Sequence, residues 1–429
     1  MCIFTIVKQE VTTTLKVRLM TGESDRDELV RTAEAYRDAC NFVSDHVFDS
    51  KDEKVYSLNK ALYPALRADY GLKAQMAQSV LKTVAAKYAT VRSNGQKRTR
   101  IRFRSPQYDL VRGRDWSWTQ GLLSVNTLGG RLKLQYFGDF NFTQEGCVFG
   151  TARLVLDKKG RYFLHIPVTR NVDVPDEIAK VVGVDRGVRK PVAAYDGSRS
   201  TFVQGRRIKT RHAKFLALRK ELQQRGTPSA RHRLKTIGQR ENRWMNDVNH
   251  CISKALVDGN PAGTLFVLED LKGIRGATER VRVRDRYVTV CWSYYDLEQK
   301  LTYKAMLHGQ RVVKVSPEYT SQRCPVCGAI DSHSRDKKNH VYKCSHCGYR
   351  SDDDRIGAMN LYLLGLEFQN GVEHPKIQSP AGKPAGGGRR QPSCDVTSRR
   401  KARKGRSYDT SRNACTTGES QAHQSLADG

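Results

Sequence analysis

The sequence predicts an α/β domain whose apolar strands end in carboxylates, carrying an inserted four-cysteine ribbon and preceded by a β-barrel-like module with a helical insertion. Three observations predict it. Cys324-Pro-Val-Cys327-Gly and Cys344-Ser-His-Cys347-Gly are two CxxC knuckles sixteen residues apart, a spacing that closes a tetrahedral Zn²⁺ site of four thiolates. Asp185 and Glu269 follow apolar runs upstream of the knuckles, and Asp354 lies just downstream, so the ribbon reads as an insertion within a larger fold. The net charge is +31, and Lys and Arg are spread along all 429 residues rather than gathered in a tail.

Taken in order, Thr12–Leu19 alternates as a half-buried strand does. A helix starts at Asp25 or Asp27 and runs to about Phe48, with Leu29, Ala33, Tyr36, Ala39, Cys40 and Val43 on one face. Two further helical stretches cover Ser57–Asp69 and Leu72–Arg92. Arg98–Arg104 is a basic alternating segment, and short strands with Gly turns follow. Leu132–Phe137 and Gly150–Arg170 are hairpin material, the latter turning at Lys158-Lys159-Gly160. Residues 1–178 therefore form a β-barrel-like module with a helical insertion at about 25–95.

From Ile178 the pattern changes. Ala179–Val184 is a short strand ending in Asp185-Arg186-Gly187, and Pro191–Tyr195 and Ser200–Val203 are two more. A strongly basic helical region covers about Gly205–Val257, broken near Gly226-Thr227-Pro228. The strand Thr264–Leu268 runs into Glu269-Asp270; a helix at about Ser293–Leu307, packed through Leu297, Leu301 and Ala305, and a strand at Arg311–Val315 follow. After the ribbon comes a last helix, from about Asp353 to Gly365. Three strands, a long helix, a strand, a helix and a strand in this order match the RNase H-like α/β architecture. The expected divisions are 179–315 and 351–370 for the α/β domain and 316–350 for the ribbon. Residues 371–429, dominated by Pro, Gly, Ser, Arg and Lys, read as a disordered basic tail.

So much positive charge implies a polyanionic partner, because phosphate contacts release counterions and offset self-repulsion. There is no run of eighteen apolar residues and no export signal, so a membrane is not expected. Eleven cysteines, four of them in metal spacing, fit a reducing cytoplasm. Four thiolates leave no open coordination position, so the zinc is structural. His346, beside the second knuckle, is a loop residue rather than a ligand. Three carboxylates converging at strand ends repel one another, and divalent cations resolve the conflict. Two Mg²⁺ ions, with Mn²⁺ as a substitute, suit such hard oxygen ligands and the hydrolysis of a phosphodiester.

The segments Gly183-Val184-Asp185-Arg186-Gly187, Val267-Leu268-Glu269-Asp270-Leu271, Thr320-Ser321-Gln322-Arg323-Cys324 and Asp354-Arg355-Ile356-Gly357-Ala358-Met359-Asn360-Leu361 occur in one order. Together they resemble the TnpB family of transposon-encoded RNA-guided nucleases, relatives of compact type V CRISPR effectors. The resemblance covers about residues 178–366 and more loosely gives the N-terminal module the roles of wedge and recognition domains. It implies a RuvC-like nuclease whose catalytic carboxylates map onto Asp185, Glu269 and Asp354. Asp352-Asp353-Asp354 offers three neighbours, and matching Ala358, Asn360 and Leu361 favours Asp354. Ile356-Gly357 stands where the family commonly has Asn-Ala. The resemblance also implies a guide RNA and a target double-stranded DNA as partners, in a prokaryotic cytoplasm close to the nucleoid. Within the N-terminal module, Lys97, Arg98, Arg100, Arg102 and Arg104 are candidates for phosphate contacts, and Tyr108, Trp116 and Trp118 for stacking on bases. The basic helical stretch from Arg206 to Lys220 is a candidate lining for a guide–target duplex. Two readings of other classes are a guided DNA binder that does not cut, which should lack a carboxylate, and a transposase, against which the ribbon's position argues.

Overall fold

The computed structural model describes residues 6–119, 121–138, 146–157, 160–187, 189–271 and 294–378. The expected turn at Lys158-Lys159, the helix start at Ser293 and most of the tail lie outside them.

The N-terminal part opens with β1 (Ile6–Met20), then α1 (Glu23–Ser50), α2 (Val55–Ala68) and α3 (Ala74–Ser93). Seven strands follow: β2 (Gln107–Leu110), β3 (Trp116–Thr119), β4 (Leu122–Asn126), β5 (Arg131–Phe137), β6 (Cys147–Phe149), β7 (Ala152–Leu156) and β8 (Tyr162–Pro175). They form an antiparallel sheet in the order β2-β7-β8-β1-β5-β4-β3, with β6 paired to β8. A bridge between Arg112 and Trp116 brings its end strands together, so the sheet is a near-closed barrel. Val17, Leu19, Leu123, Val125, Leu164 and Ile166 point inward from the strands and share one core with the apolar faces of α1, α2 and α3.

One expectation fails in this part, the stacking of Tyr108 and Trp116 on bases, and the basic segment has a local setting of its own. Arg98–Arg104 is not a strand but an irregular segment laid across α1. Arg100 pairs with Asp45 and Asp49 at 2.9 and 2.8 Å, Arg102 pairs with Asp45 at 3.0 Å, and Arg98 pairs with Glu53 and the Val47 carbonyl. These three arginines neutralise the acidic side of α1 and its following loop, with their side chains still 34%, 40% and 49% exposed. Tyr108 and Trp116 are fully buried, and Trp118 is half-buried with its indole N–H donating to the Tyr136 hydroxyl at 3.0 Å. The two buried rings belong to the core and cannot stack on bases.

The second part contains β9 (Lys180–Asp185), β10 (Val192–Tyr195), β11 (Ser200–Val203), α4 (Arg206–Arg225), α5 (Pro228–Asp258), β12 (Thr264–Glu269), α6 (Tyr294–Leu307) and β13 (Arg311–Val315). The break between α4 and α5 has a local cause. Gly226 ends α4 in the left-handed conformation, the Thr227 hydroxyl accepts from the Ala230 N–H at 3.2 Å, and Pro228 occupies the first helical position. Next come β14 (Arg335–Asp336), β15 (Val341–Lys343) and β16 (Arg350–Asp352), a small antiparallel sheet, and then α7 (Asp353–Gln369).

β9–β13 form a mixed sheet in the order β11-β10-β9-β12-β13, with β9, β12 and β13 parallel. Both faces are covered, which is why the central strands are continuously apolar. Val182, Val184, Phe266 and Leu268 meet α5 and α6 on one face. Val181, Leu265 and Val267 meet Leu361 and Leu364 of α7 on the other. A Cβ at Gly183 would stand 2.1 Å from the Ala358 carbonyl oxygen and 2.3 Å from the Tyr362 nitrogen, so glycine alone lets α7 lie against β9. Gly365 does not end α7: Leu366 and Phe368 continue the apolar face beyond it.

Candidate active site

The parallel register pairs Leu268 with Val184, so the next residues, Glu269 and Asp185, sit side by side at the C-terminal ends of the two central strands. α7 starts against the same ends. Asp354 lies in its first turn, with one carboxylate oxygen 3.8 Å from where a Cβ on Gly187 would stand. Acidic residues 84 and 85 positions apart in the chain thus come to neighbouring places in the fold.

Their electrostatics record that proximity. Burial, then the charges of Glu269 and Asp354, push the Asp185 carboxyl up to about 8. Burial also raises Glu269, against the pull of Thr320, Arg186 and Arg335. Asp354 is raised by burial and by Asp353, with Arg189 opposing. The three neighbouring aspartates separate by their partners. Burial disfavours charge on Asp352, yet Arg189 and Lys190 hold its carboxyl low, and it caps α7 by accepting the Asp354 N–H at 3.1 Å. Asp353 is buried against Arg335, at 3.1 Å, and His340. Asp354 is the one of the three whose charge raises Asp185. Among the described residues, the carboxylates whose oxygens all lie within 4.8 Å of one another are Asp352, Asp353 and Asp354, and Arg189 engages all three. Asp185 and Glu269 stand beside that helix start, near enough for the charges of Glu269 and Asp354 to act on Asp185, and hard oxygens of this kind suit a divalent cation.

Neighbouring side chains to which the sequence reading gave no role surround these carboxylates. Arg186 is buried, donates to the Glu269 carbonyl at 2.5 Å and pairs with Glu298 at 3.0 Å. Arg189 reaches Asp352, Asp353 and Asp354 at 2.8, 3.1 and 2.7 Å. The Thr320 hydroxyl donates to Glu269 Oε1 at 2.5 Å, and Asn360 Nδ2 donates to the Thr320 and Arg323 carbonyls, both at 2.8 Å. Thr320 and Asn360 belong to segments the sequence had marked; their partners needed the fold. Ile356 is fully buried among Cys324, Tyr342 and Cys344, so it joins α7 to the ribbon.

The four cysteines are brought together as the spacing predicted. Cys324 and Cys347 sulfurs are 3.7 Å apart and those of Cys327 and Cys344 are 3.6 Å apart. Tetrahedral coordination with Zn–S bonds of about 2.3 Å places sulfurs about 3.8 Å apart, so the cluster fits Zn²⁺. The two knuckles are built alike: the Gly328 and Gly348 N–H groups donate to the Cys324 and Cys344 carbonyls, each at 3.0 Å, with φ of 75° and 74°. His346 is exposed and is not among the converging ligands.

Residues 294–361 match a family model described as a Cas12f1-like TNB domain. The chain is 32% identical over 234 residues to the CRISPR-associated endodeoxyribonuclease Cas12f1 of Sulfoacidibacillus thermotolerans, a match covering 49% of this chain and 52% of that protein. It is 29% identical over 162 residues to a TnpB-like protein, MJ0751, of Methanocaldococcus jannaschii, covering 36% of this chain and 56% of that one. The chain spans about half the length of the curated relatives it matches. A solved structure of a mini-RNA-guided endonuclease, CRISPR-Cas_phi3, aligns with 87% of this chain and 94% of its own at 10% identity and a TM-score of 0.47.

Proposed function

The chain belongs to the TnpB/Cas12f family of RNA-guided endonucleases, and from that premise we propose that it is an RNA-guided, Mg²⁺-dependent DNA endonuclease encoded by a transposon. One observation supports the proposal: Asp185 and Glu269 stand at the ends of adjacent parallel strands, and the charges of Glu269 and Asp354 both act on Asp185. In this reading β9–β13 with α7 is the RNase H-like (RuvC) domain, the cysteine cluster is its structural zinc ribbon, and the barrel with α1–α3 is the wedge and recognition module.

The three carboxylates would hold Mg²⁺, which supplies water activation and leaving-group stabilisation for phosphodiester hydrolysis. The chain's own residues set the geometry. Arg186 fixes the end of β12 through the Glu269 carbonyl, and Asn360 ties the Thr320 loop to α7. Arg189 balances the acidic helix start. Base pairing by the guide reads the target, so the protein needs backbone contacts and a basic surface rather than a sequence-reading helix. The net charge of +31 and the basic face of α4, with Arg206, Arg207, Arg211 and Lys214 around one concavity, support that division of labour. No helix among the described residues is long and apolar enough to cross a membrane; the proposed place of action is the prokaryotic cytoplasm, at the nucleoid.

A compact type V CRISPR effector is a second reading, favoured by the Cas12f1-like match over residues 294–361. Sequencing the RNA that copurifies from the native locus tests both. One abundant RNA ending in sequence from outside the element supports the transposon reading, and one ending in a spacer supports the effector. Only heterogeneous cellular RNA counts against guided cleavage.

A further inference from the structure

We propose that Thr320 is a positioning residue for Glu269: it occupies one carboxylate oxygen and so leaves a single oxygen for the catalytic cation. The inference deepens the proposed active site and rests on it. Thr320 is 2% exposed, and its hydroxyl stands 2.5 Å from Glu269 Oε1 and 3.0 Å from the Pro317 carbonyl. One hydroxyl proton serves one acceptor at a time, and the nearer, charged carboxylate takes it. Oε2 of Glu269 has no hydrogen-bond donor among the described residues.

The loop around Thr320 is built to hold that hydroxyl in place. Tyr319, just before it, adopts a left-handed φ of 61°, a conformation that a bulky residue keeps only when its surroundings impose it. The Tyr319 carbonyl accepts from the Gln322 and Arg323 N–H groups, both at 2.9 Å. Asn360, fully buried on α7, clamps the Thr320 and Arg323 carbonyls, and the Tyr342 hydroxyl donates to the Gln322 carbonyl at 3.1 Å. Anchors from α7 and from the ribbon thus converge on one turn whose side chain meets a carboxylate. A carboxylate free to rotate presents two oxygens in many poses, whereas one pinned through Oε1 presents Oε2 in one.

Full-length Thr320→Val, Thr320→Ser and Glu269→Gln proteins, each checked for zinc content and guide-RNA binding, test this through Mn²⁺ binding read by electron paramagnetic resonance. Loss of an outer-shell partner should weaken Mn²⁺ binding in Thr320→Val about 10-fold, while Thr320→Ser stays within about threefold of the parent. Binding by Thr320→Val within about twofold of the parent, or Thr320→Ser as weak as Thr320→Val, would overturn the positioning role. If Glu269→Gln binds Mn²⁺ as well as the parent, the active-site reading falls and the positioning role falls with it.

Discussion

Gly357 shows how far one side chain decides this site. A Cβ there would lie 3.0 Å from the Asp185 carboxylate carbon and 3.0 Å from its Oδ2. The resemblance marked Ile356-Gly357 as a departure from the usual Asn-Ala, and the structure gives each half a cause: Ile356 packs against the ribbon, and Gly357 clears space for Asp185. Gly357→Ala should therefore separate stability from activity. The helix gains about 0.5–1 kcal/mol of propensity, while displacement of Asp185 lowers cleavage roughly 10-fold; thermal unfolding beside a cleavage assay reads both. A second prediction concerns pH. The folded Asp185 carboxyl titrates at about 8, against about 3.9 when unfolded. Between those values the native state binds a proton that the unfolded state lacks, so stability falls as pH rises through the window. Glu269 and Asp354 are shifted in the same direction. In Mg²⁺-free buffer the Tm should fall from pH 5 to pH 8. Asp185→Asn should flatten that fall, and added Mg²⁺ should stabilise the parent more at pH 8 than at pH 6.

The secondary structure around the site was legible in the sequence because its signals are local. Strand ends marked by an acid, the Gly226-Thr227-Pro228 break and the CxxC knuckles each depend on neighbours a few residues away. What was not legible depends on distant partners. Arg98, Arg100 and Arg102 read as a basic patch because nothing in their own segment reveals the acidic side of α1 that they meet. Trp116 and Tyr108 read as candidates for stacking because burial is a property of the closed barrel. Gly365 read as a helix end because the strand side chains it packs against, Val181 and Val267, come from elsewhere in the chain. The ribbon is where local pattern and distant contact meet. It holds the Thr320 turn, through Cys324 and Tyr342, and the start of α7, through Arg335 and Ile356. Replacing Cys324 and Cys327 with Ser should release zinc, lower the Tm and impair cleavage together, as metal analysis and calorimetry would show. A stable, active protein without zinc would contradict this structural role.

Taken whole, the chain carries a net charge of +31, pairs part of its N-terminal basic charge internally, and brings the charges of Glu269 and Asp354 to bear on Asp185. That arrangement suits a protein that grips nucleic-acid backbone broadly and delegates sequence choice to a guide. The most direct test is to load the protein with its copurified RNA, replace the guide segment, and map cuts on a DNA duplex in Mg²⁺. The proposed function predicts that cuts move with the guide, and that Asp185→Ala abolishes them while the complex still binds its target. Cuts that ignore the guide, or that persist in Asp185→Ala, would contradict it.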